Sequence, residues 1–343
     1  MSGTSLDGID IAEINLTLSN DKSWSFEILN TITKPYSSLW REKLRESAFL
    51  LEEQLNALDI EYTQYLSEVI NGFMSAHQIK NIDAVCSHGH TVIHQPDKGV
   101  TLQIGNLPKL ASLIRQNVVC DFRVQDVFLG GQGAPLVPIG DVLLFGKYDY
   151  CLNLGGFANI SFDNSGSRIA FDICPVNIVL NRYAENLGYS YDDKGLIAAS
   201  GVLDMALLAQ LNKLPFYIEE APKSLGVEWV REFVLPILDK SSIAIEGKMR
   251  TITEHIAIQI SNQIKTDTNV LVTGGGVYND FLMARVESLC HATFVLPSKK
   301  LIEFKEALIF GLLGALKLKG AVNCLASVTG AAKSHSSGKI YFG

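Results

Sequence analysis

A chain of 343 residues exceeds what one hydrophobic core ordinarily serves, so two lobes with a cleft are the expectation. A net charge of -7, with no lysine or arginine block, excludes a partner held by neutralising nucleic-acid phosphates and leaves a small molecule as the ligand. The longest apolar run, residues 307–316, falls short of the roughly 20 that cross a bilayer, no basic-then-apolar leader opens the chain, and six scattered cysteines (Cys86, Cys120, Cys151, Cys174, Cys290, Cys324) lack any C-x-x-C pair; a soluble cytoplasmic protein with reduced, buried thiols is expected rather than disulfides or zinc.

The chain opens on Met1-Ser2-Gly3-Thr4-Ser5-Leu6-Asp7-Gly8-Ile9-Asp10. Glycines, hydroxyls and carboxylates ahead of an alternating segment describe either a phosphate-holding hairpin, with Asp7 or Asp10 able to hold a metal, or an ordinary Asp-Gly turn. Residues 9–17 alternate as a half-buried strand, and 26–31 read as its neighbour. From Ser38 the spacing turns helical, and Leu55, Leu58, Tyr62, Leu66, Val69, Ile70 and Phe73 form one stripe of a long core-facing helix. Short apolar runs at 82–87 and 118–121 flank a helical segment at 107–116, an αβ alternation that implies some parallel pairing. The segment Gly130-Gly131-Gln132-Gly133-Ala134-Pro135-Leu136-Val137-Pro138 reads as the lobe boundary. After it the grammar restarts: strands at 149–154, 158–162 and 168–171 around a Gly155-Gly156 turn, a helix at 177–187, then helices enclosing buried strands at 270–273 and 293–296.

Three glycine turns follow apolar strands, at Gly3 to Gly8, Gly155-Gly156 and Gly274-Gly275-Gly276. None matches a P-loop or dinucleotide fingerprint, but together they supply backbone amides and close approach for a nucleotide triphosphate. Asp172 ends a strand, where clefts of α/β sheets lie, and is either a general base or a cap on the following helix. His88, His90 and His94 are either metal ligands or hydrogen-bonding groups. Arg123 offers a fork for a carboxylate or phosphate, or a salt bridge to Asp121 or Asp126, and Glu306 opens an apolar helix.

In order, Met-Ser-Gly-Thr-Ser-Leu-Asp-Gly, Ser-His-Gly-x-Thr, Asp-Phe-Arg-x-x-Asp, Gly-Gly-Gln-Gly-Ala-Pro-Leu-Val-Pro, Leu-Asn-Leu-Gly-Gly-x-Ala-Asn-Ile, Phe-Asp-x-x-Pro-x-Asn, Gly-Gly-Gly-x-x-Asn and Glu-Ala-x-x-Phe resemble the anhydro-N-acetylmuramic acid kinases over residues 1 to about 330. That family belongs to the sugar kinase, Hsp70 and actin superfamily. The resemblance implies an α/β, two-lobed, actin-like ATPase fold (a duplicated ribonuclease H-like unit) with mixed sheets and a central cleft. Residues 1–129 with about 331–343 would carry the first hairpin and part of the sugar site; 130–330 would carry the second hairpin, the base and the adenosine side.

It further implies ATP and magnesium acting on 1,6-anhydro-N-acetylmuramic acid in cell-wall recycling, with Asp172 as base. Gly3, Thr4, Ser5, Leu6, Asp7, Gly8, Ile9 and Asp10, the Gly155, Gly156 and Asn159 turn, and Gly274, Gly275, Gly276 and Asn279 would hold the nucleotide, with Asp7 on magnesium; His88, Arg123 and Glu306 would meet the sugar. No nucleic-acid or membrane partner is implied, and a homodimer stays open. A nucleotide-binding protein without transfer activity and a metal-dependent hydrolase built on His88, His90 and His94 are the alternatives.

Three departures from the family pattern stand out. A strand normally precedes the Met-Ser-Gly-Thr-Ser run, and here Met1 is its methionine, so an upstream strand and a start codon assigned too late are expected. Ile173-Cys174-Pro175-Val176 replaces Thr-Gly-Pro-Gly beside the base, and His90 replaces a common glutamine, which bears on substrate preference.

Overall fold

The computed structural model describes residues 1–3 and 6–343. Two compact units divide the chain: Met1–Leu144 with Phe304–Gly343, and Phe145–Glu303. The strands are β1 Gly8–Leu18, β2 Trp24–Pro35, β3 Val85–Cys86, β4 His90–Gln95, β5 Val100–Ile104, β6 Val118–Cys120, β7 Tyr150–Leu154, β8 Phe157–Asn164, β9 Ser167–Pro175, β10 Asn269–Thr273, β11 Thr293–Val295 and β12 Lys339–Tyr341.

In the first unit β1 and β2 form an antiparallel hairpin running from Gly8 opposite Pro35 to Leu18 opposite Trp24. Its start is fixed by Gly8, where a Cβ would stand 2.5 Å from the Lys34 carbonyl oxygen. Residues 1 and 2 lie along the other edge of β1: the Met1 ammonium donates to the Asp10 carbonyl (2.7 Å), the Asp10 amide donates to the Met1 carbonyl (2.8 Å), and Ser2 bridges Ile9 antiparallel and His90 parallel. Beyond them, β1 from Ile11 to Leu18 and β3 line one cavity of about 780 Å³, with Leu66, Ile70 and Phe73 in its wall. β3 pairs parallel with β6, which pairs antiparallel with β12, while β4 and β5 form their own hairpin.

The helical stripe is realised in Glu52–Ala76, which buries Leu55, Leu58, Tyr62, Leu66, Ile70 and Phe73. Burying each large apolar side chain of that set contributes about 1.5–3 kcal/mol. At its start the Gln54 side chain accepts from the Leu51 amide, and Glu52 and Glu53 lie where the helix dipole favours negative charge.

The unit boundary differs from the one expected at Gly130, and residues 130–144 and 304–330 belong to the first unit. The physical reason is a shared core: Val119 and Phe122 are buried with Leu136, Ile139, Ile309, Phe310, Leu312, Leu313 and Leu316. Gly140 lies so close to Ile309 that a Cβ would meet its side chain at 2.6 Å. The helix Lys299–Leu318 carries a non-helical residue, Phe304 (φ -117°, ψ 17°), at the point where the units divide.

The second unit contains a five-stranded sheet in the order β11-β10-β7-β8-β9. β7, β8 and β9 are antiparallel neighbours, and β10 and β11 run parallel to β7. An antiparallel meander continued by parallel strands is the order of a ribonuclease H-like half, in keeping with the mixed α/β class expected. The helix Ile245–Ser261 supplies Met249, Ile252, Ile256, Ala257 and Ile260 to the core over this sheet. All six cysteines are unpaired, five of them buried and Cys86 half-buried. Among the described residues no single helix is long and apolar enough to cross a membrane.

Candidate active site

In the second unit the expected groups gather at the carboxyl ends of β7 and β10, the side of an α/β sheet where ligands bind. Gly155 and Gly156 turn the chain from β7 into β8, and their carbonyls accept from the amides of Val176, Asn177 and Ile178 at the start of the helix Asn177–Glu185. Gly274, Gly275 and Gly276 follow β10. Gly274 has φ 86°, and a Cβ on it would stand 2.7 Å from the Leu154 backbone; a Cβ on Gly276 would stand 2.8 Å from the Leu154 Cβ. These two glycines are therefore demanded by the chain itself. Gly156 and Gly275 are different: their φ angles are ordinary, and a Cβ there would meet nothing nearer than Ile178 at 3.9 Å and Asn177 at 4.0 Å. The space in front of them is free for a ligand approaching the backbone.

Asp172 lies in β9 opposite Asn159, beside a bulge at which Ala158 already pairs with Cys174, leaving Ile173 as the extra residue. Bulges re-aim side chains and recur beside active sites. A distant loop, just ahead of the helix Val227–Trp229, pins the carboxylate: the Asp172 amide donates to the Lys223 carbonyl (3.0 Å), and the Leu225 amide donates to Asp172 Oδ2 (2.8 Å). Burial pushes the Asp172 carboxyl above the ordinary aspartate value, and the Leu225 amide offsets part of that rise. Ile173, Cys174 and Val176, the departures beside the expected base, are buried in the core. Asn279 caps the helix Asp280–Leu289 by accepting from the Leu282 amide (2.9 Å), a structural role that the spacing alone does not reveal.

In the first unit the opening turn adjoins a buried polar chain. Ser2 Oγ stands 2.9 Å from His90 Nδ1 and 2.6 Å from the Tyr36 hydroxyl, which is 2.6 Å from that of Tyr62. Burial lowers His90 to about 4, so its imidazole is neutral at neutral pH. Asp7 Oδ1 accepts from the Gly8 amide (3.0 Å), Asp10 Oδ1 accepts from Thr33 Oγ1 (2.5 Å), Leu6 adopts φ 59°, and Ile9 is buried. Gly3 accepts at its carbonyl from the Leu6 amide (3.3 Å). Thr4 and Ser5 lie outside the described residues.

Arg123 donates from Nε to His88 Nε2 (2.9 Å) and from Nη1 to the Gly133 carbonyl (2.7 Å). Burial lowers its pKa, while the negative charge of Glu306 counteracts this; Glu306 also acts on the Met1 ammonium. The structure thus brings His88, Arg123, Glu306 and the opening turn together within this unit. Asp121 pairs with Lys339 (2.9 Å).

The three-histidine metal reading does not survive. His88 Nε2 accepts from a guanidinium, His90 Nδ1 meets Ser2, and His94 Nδ1 meets Thr101 Oγ1 (3.1 Å), so the rings are committed to separate partners. Sequence reasoning missed Ser2, Tyr36 and Tyr62, and also Lys223 and Leu225. The last two act through backbone groups, which leave no side-chain signal.

A family model for anhydro-N-acetylmuramic acid kinase matches residues 1–343. An anhydro-N-acetylmuramic acid kinase of Pseudomonas syringae pv. syringae is 34% identical over 363 residues, covering 99% of this chain and 97% of that protein. One from Mannheimia succiniciproducens is 33% identical over 369 residues, covering 99% and 97%. Among solved structures, the activator of the 2-hydroxyisocaproyl-CoA dehydratase from Clostridium difficile with bound ADPNP aligns with a TM-score of 0.34 at 14% identity, over 56% of this chain and 64% of that one. On the full-length match of sequence, the chain belongs to the anhydro-N-acetylmuramic acid kinase family.

Proposed function

We propose that the protein is an ATP-dependent kinase that opens 1,6-anhydro-N-acetylmuramic acid with water and phosphorylates O6, giving N-acetylmuramic acid 6-phosphate and ADP in peptidoglycan recycling in the cytoplasm. Family membership supports the reaction; the observation that carries the mechanism is Asp172, held at a bulge by Leu225 next to a glycine turn whose Gly156 leaves its space free.

Ionised Asp172 takes a proton from water as the water oxygen bonds to C1 of the sugar. The C1–O6 bond breaks, and its electron pair leaves on O6 as an incipient alkoxide, a poor leaving group unless captured. O6 then bonds to the γ-phosphorus while the bond to the departing ADP oxygen breaks. One sugar, one water and one ATP give one sugar phosphate, one ADP and one proton. Burial raises the Asp172 carboxyl above the ordinary aspartate value, which makes its carboxylate a stronger base than an exposed aspartate.

The open glycine backbones at Gly156 and Gly275 suit phosphate and ribose, with Gly155, Gly274, Gly276, Asn159 and Asn279 shaping those turns. Within the first unit taken by itself, the turn from Gly3 to Asp10 suits phosphate, and His88, Arg123 and Glu306 suit the sugar. Asp7, a single carboxylate in a turn of amides, suits magnesium, which binds through one or two carboxylates and the phosphates themselves. When bound, that ion neutralises charge on the transferring phosphoryl group.

The test is ADP release with the anhydro sugar in ¹⁸O-water. The proposal expects one label at C1 and none in the phosphate. Label in the phosphate, or ATP binding without sugar-dependent ADP release, overturns it; the latter would leave a nucleotide-binding protein without transfer activity.

A further inference from the structure

A second constellation lies beside Arg123, on side chains given no part in the reaction above. Asp126, in the helix Val124–Phe128, is fully buried at 0% exposure. Its Oδ2 accepts from the Gly133 amide (2.7 Å). Its Oδ1 accepts from Thr329 Oγ1 (2.7 Å) and from the Cys324 thiol (3.0 Å), and His335 Nε2 stands 3.7 Å from the same oxygen.

His335 is the informative member. Its Nδ1 lies 3.1 Å from the Lys333 carbonyl, which can only accept, so Nδ1 carries the proton and donates. Nε2 is buried and has no hydrogen-bond partner. At 3.7 Å from Asp126 Oδ1 it is beyond hydrogen-bond range. An imidazole nitrogen, a carboxylate oxygen and a thiol sulfur, each from a buried residue, therefore converge within 4.8 Å of one another. Buried polar atoms are rarely left unsatisfied, and one aimed at an anionic oxygen calls for an electrophile between them.

We propose that Asp126, Cys324 and His335 form a structural zinc site. Tetrahedral zinc with bonds of 2.0–2.3 Å sets its ligand atoms about 3.3–3.6 Å apart, a range bracketed by the 3.0 Å from Cys324 Sγ and the 3.7 Å from His335 Nε2 to Asp126 Oδ1. A mixed N, S and O donor set suits zinc and is wrong for magnesium, which prefers oxygen alone. Binding converts the Cys324 thiol to thiolate and releases one proton to solvent; the thiolate and the Asp126 carboxylate then neutralise the dication, so no net charge is left in the core. The Lys333 carbonyl on Nδ1 and the Gly133 amide on Oδ2 orient the ligands from behind, as outer partners of metal sites do. The consequence is a clip joining the segment 324–335 to the helix Val124–Phe128. The ligands lie nearly two hundred residues apart (198 between Asp126 and Cys324), so no spacing motif betrays them.

The experiment uses the full chain, stripped with chelator and then titrated with zinc against a chromophoric competitor, with cobalt as a spectroscopic stand-in. Expected are one zinc per chain, release of about one proton per zinc bound, a higher Tm, and a thiolate-to-cobalt charge-transfer band. Cys324→Ser and His335→Gln should each weaken binding by about tenfold or more, whereas His94→Gln, in an exposed histidine, leaves it unchanged. Should either variant fail to fold, the cobalt band on the unaltered chain still decides. Substoichiometric zinc, an unchanged Tm, a missing thiolate band, or loss of binding in His94→Gln would overturn the assignment.

Discussion

Gly156→Ala and Gly274→Ala form a pair whose opposite outcomes follow from local geometry. At Gly156 the new methyl carbon would stand 3.9 Å from Ile178 Cβ, an ordinary contact, and the backbone is in a region any residue adopts. Folding stability is therefore expected to hold or to rise by about 0.4–1 kcal/mol, since alanine narrows the unfolded ensemble. The same methyl enters the space assigned to the nucleotide, so the KM for ATP should rise about tenfold, equivalent to ~1.4 kcal/mol. At Gly274 the methyl would stand 2.7 Å from the Leu154 carbonyl carbon and oxygen, on a backbone at φ 86°. That combination of clash and left-handed strain costs of order 1–3 kcal/mol, visible as a lower Tm before any kinetics are measured. Thermal unfolding and ATP-dependent ADP release on both variants are the assay. An unstable Gly156→Ala, or a stable one with unaltered KM for ATP, would refute the division between glycines required by the chain and glycines left open for a ligand.

Other consequences can be measured separately. His88, His90 and His255 are buried, and burial lowers each, His90 to about 4 and His255 to about 3. As pH falls from about 6.5 toward 4, the unfolded chain binds a proton at each of these while the folded chain does not, so stability should fall by up to ~1.4 kcal/mol per pH unit per histidine; urea midpoints that stay flat over this range would contradict it. Fusing an extended apolar segment ahead of Met1 should raise Tm by ~2 °C or more, because it would enter the cavity between β1 and β3 along the line that Met1 and Ser2 already follow, and would replace a buried ammonium by an amide; an unchanged Tm defeats this. Glu254→Gln should destabilise the second unit by roughly 3 kcal/mol in thermal or urea unfolding, because the carboxylate is 6% exposed and holds both Arg250 and, bidentately, Arg285; loss of less than a few tenths would mean that the arginines find water instead.

The stripe from Leu55 to Phe73 is legible because helical periodicity repeats over many turns, and the β1–β2 and β7–β9 strands because one face of each alternates. The β4–β5 hairpin escapes, since a histidine-rich run has no clear period. The lobe boundary is misread for a physical reason: Gly131 and Gly133 look like linker glycines but leave room for Asp126 and Val127, and the residues that anchor this segment, Ile309 and Phe310, lie far along the chain. Asp172 can be found from its chemistry, but not from a strand end: the strand expected to stop before it runs on through the bulge to Pro175. The loop at Lys223 and Leu225 that fixes its carboxylate cannot, because main-chain hydrogen bonds are written in no particular residue type. For the same reason the glycine motifs reveal their number but not their division of labour, which appears only when a Cβ is placed on each.

The central claim is that Asp172 activates the water that opens the sugar. It is tested most directly by Asp172→Asn, measuring ADP release with the anhydro sugar alongside calorimetric titration of an ATP analogue. ATP binding is expected to persist while turnover falls by at least ~10²-fold, the ordinary contribution of a general base. Turnover within a few-fold of the unaltered protein, with ATP binding intact, would contradict it.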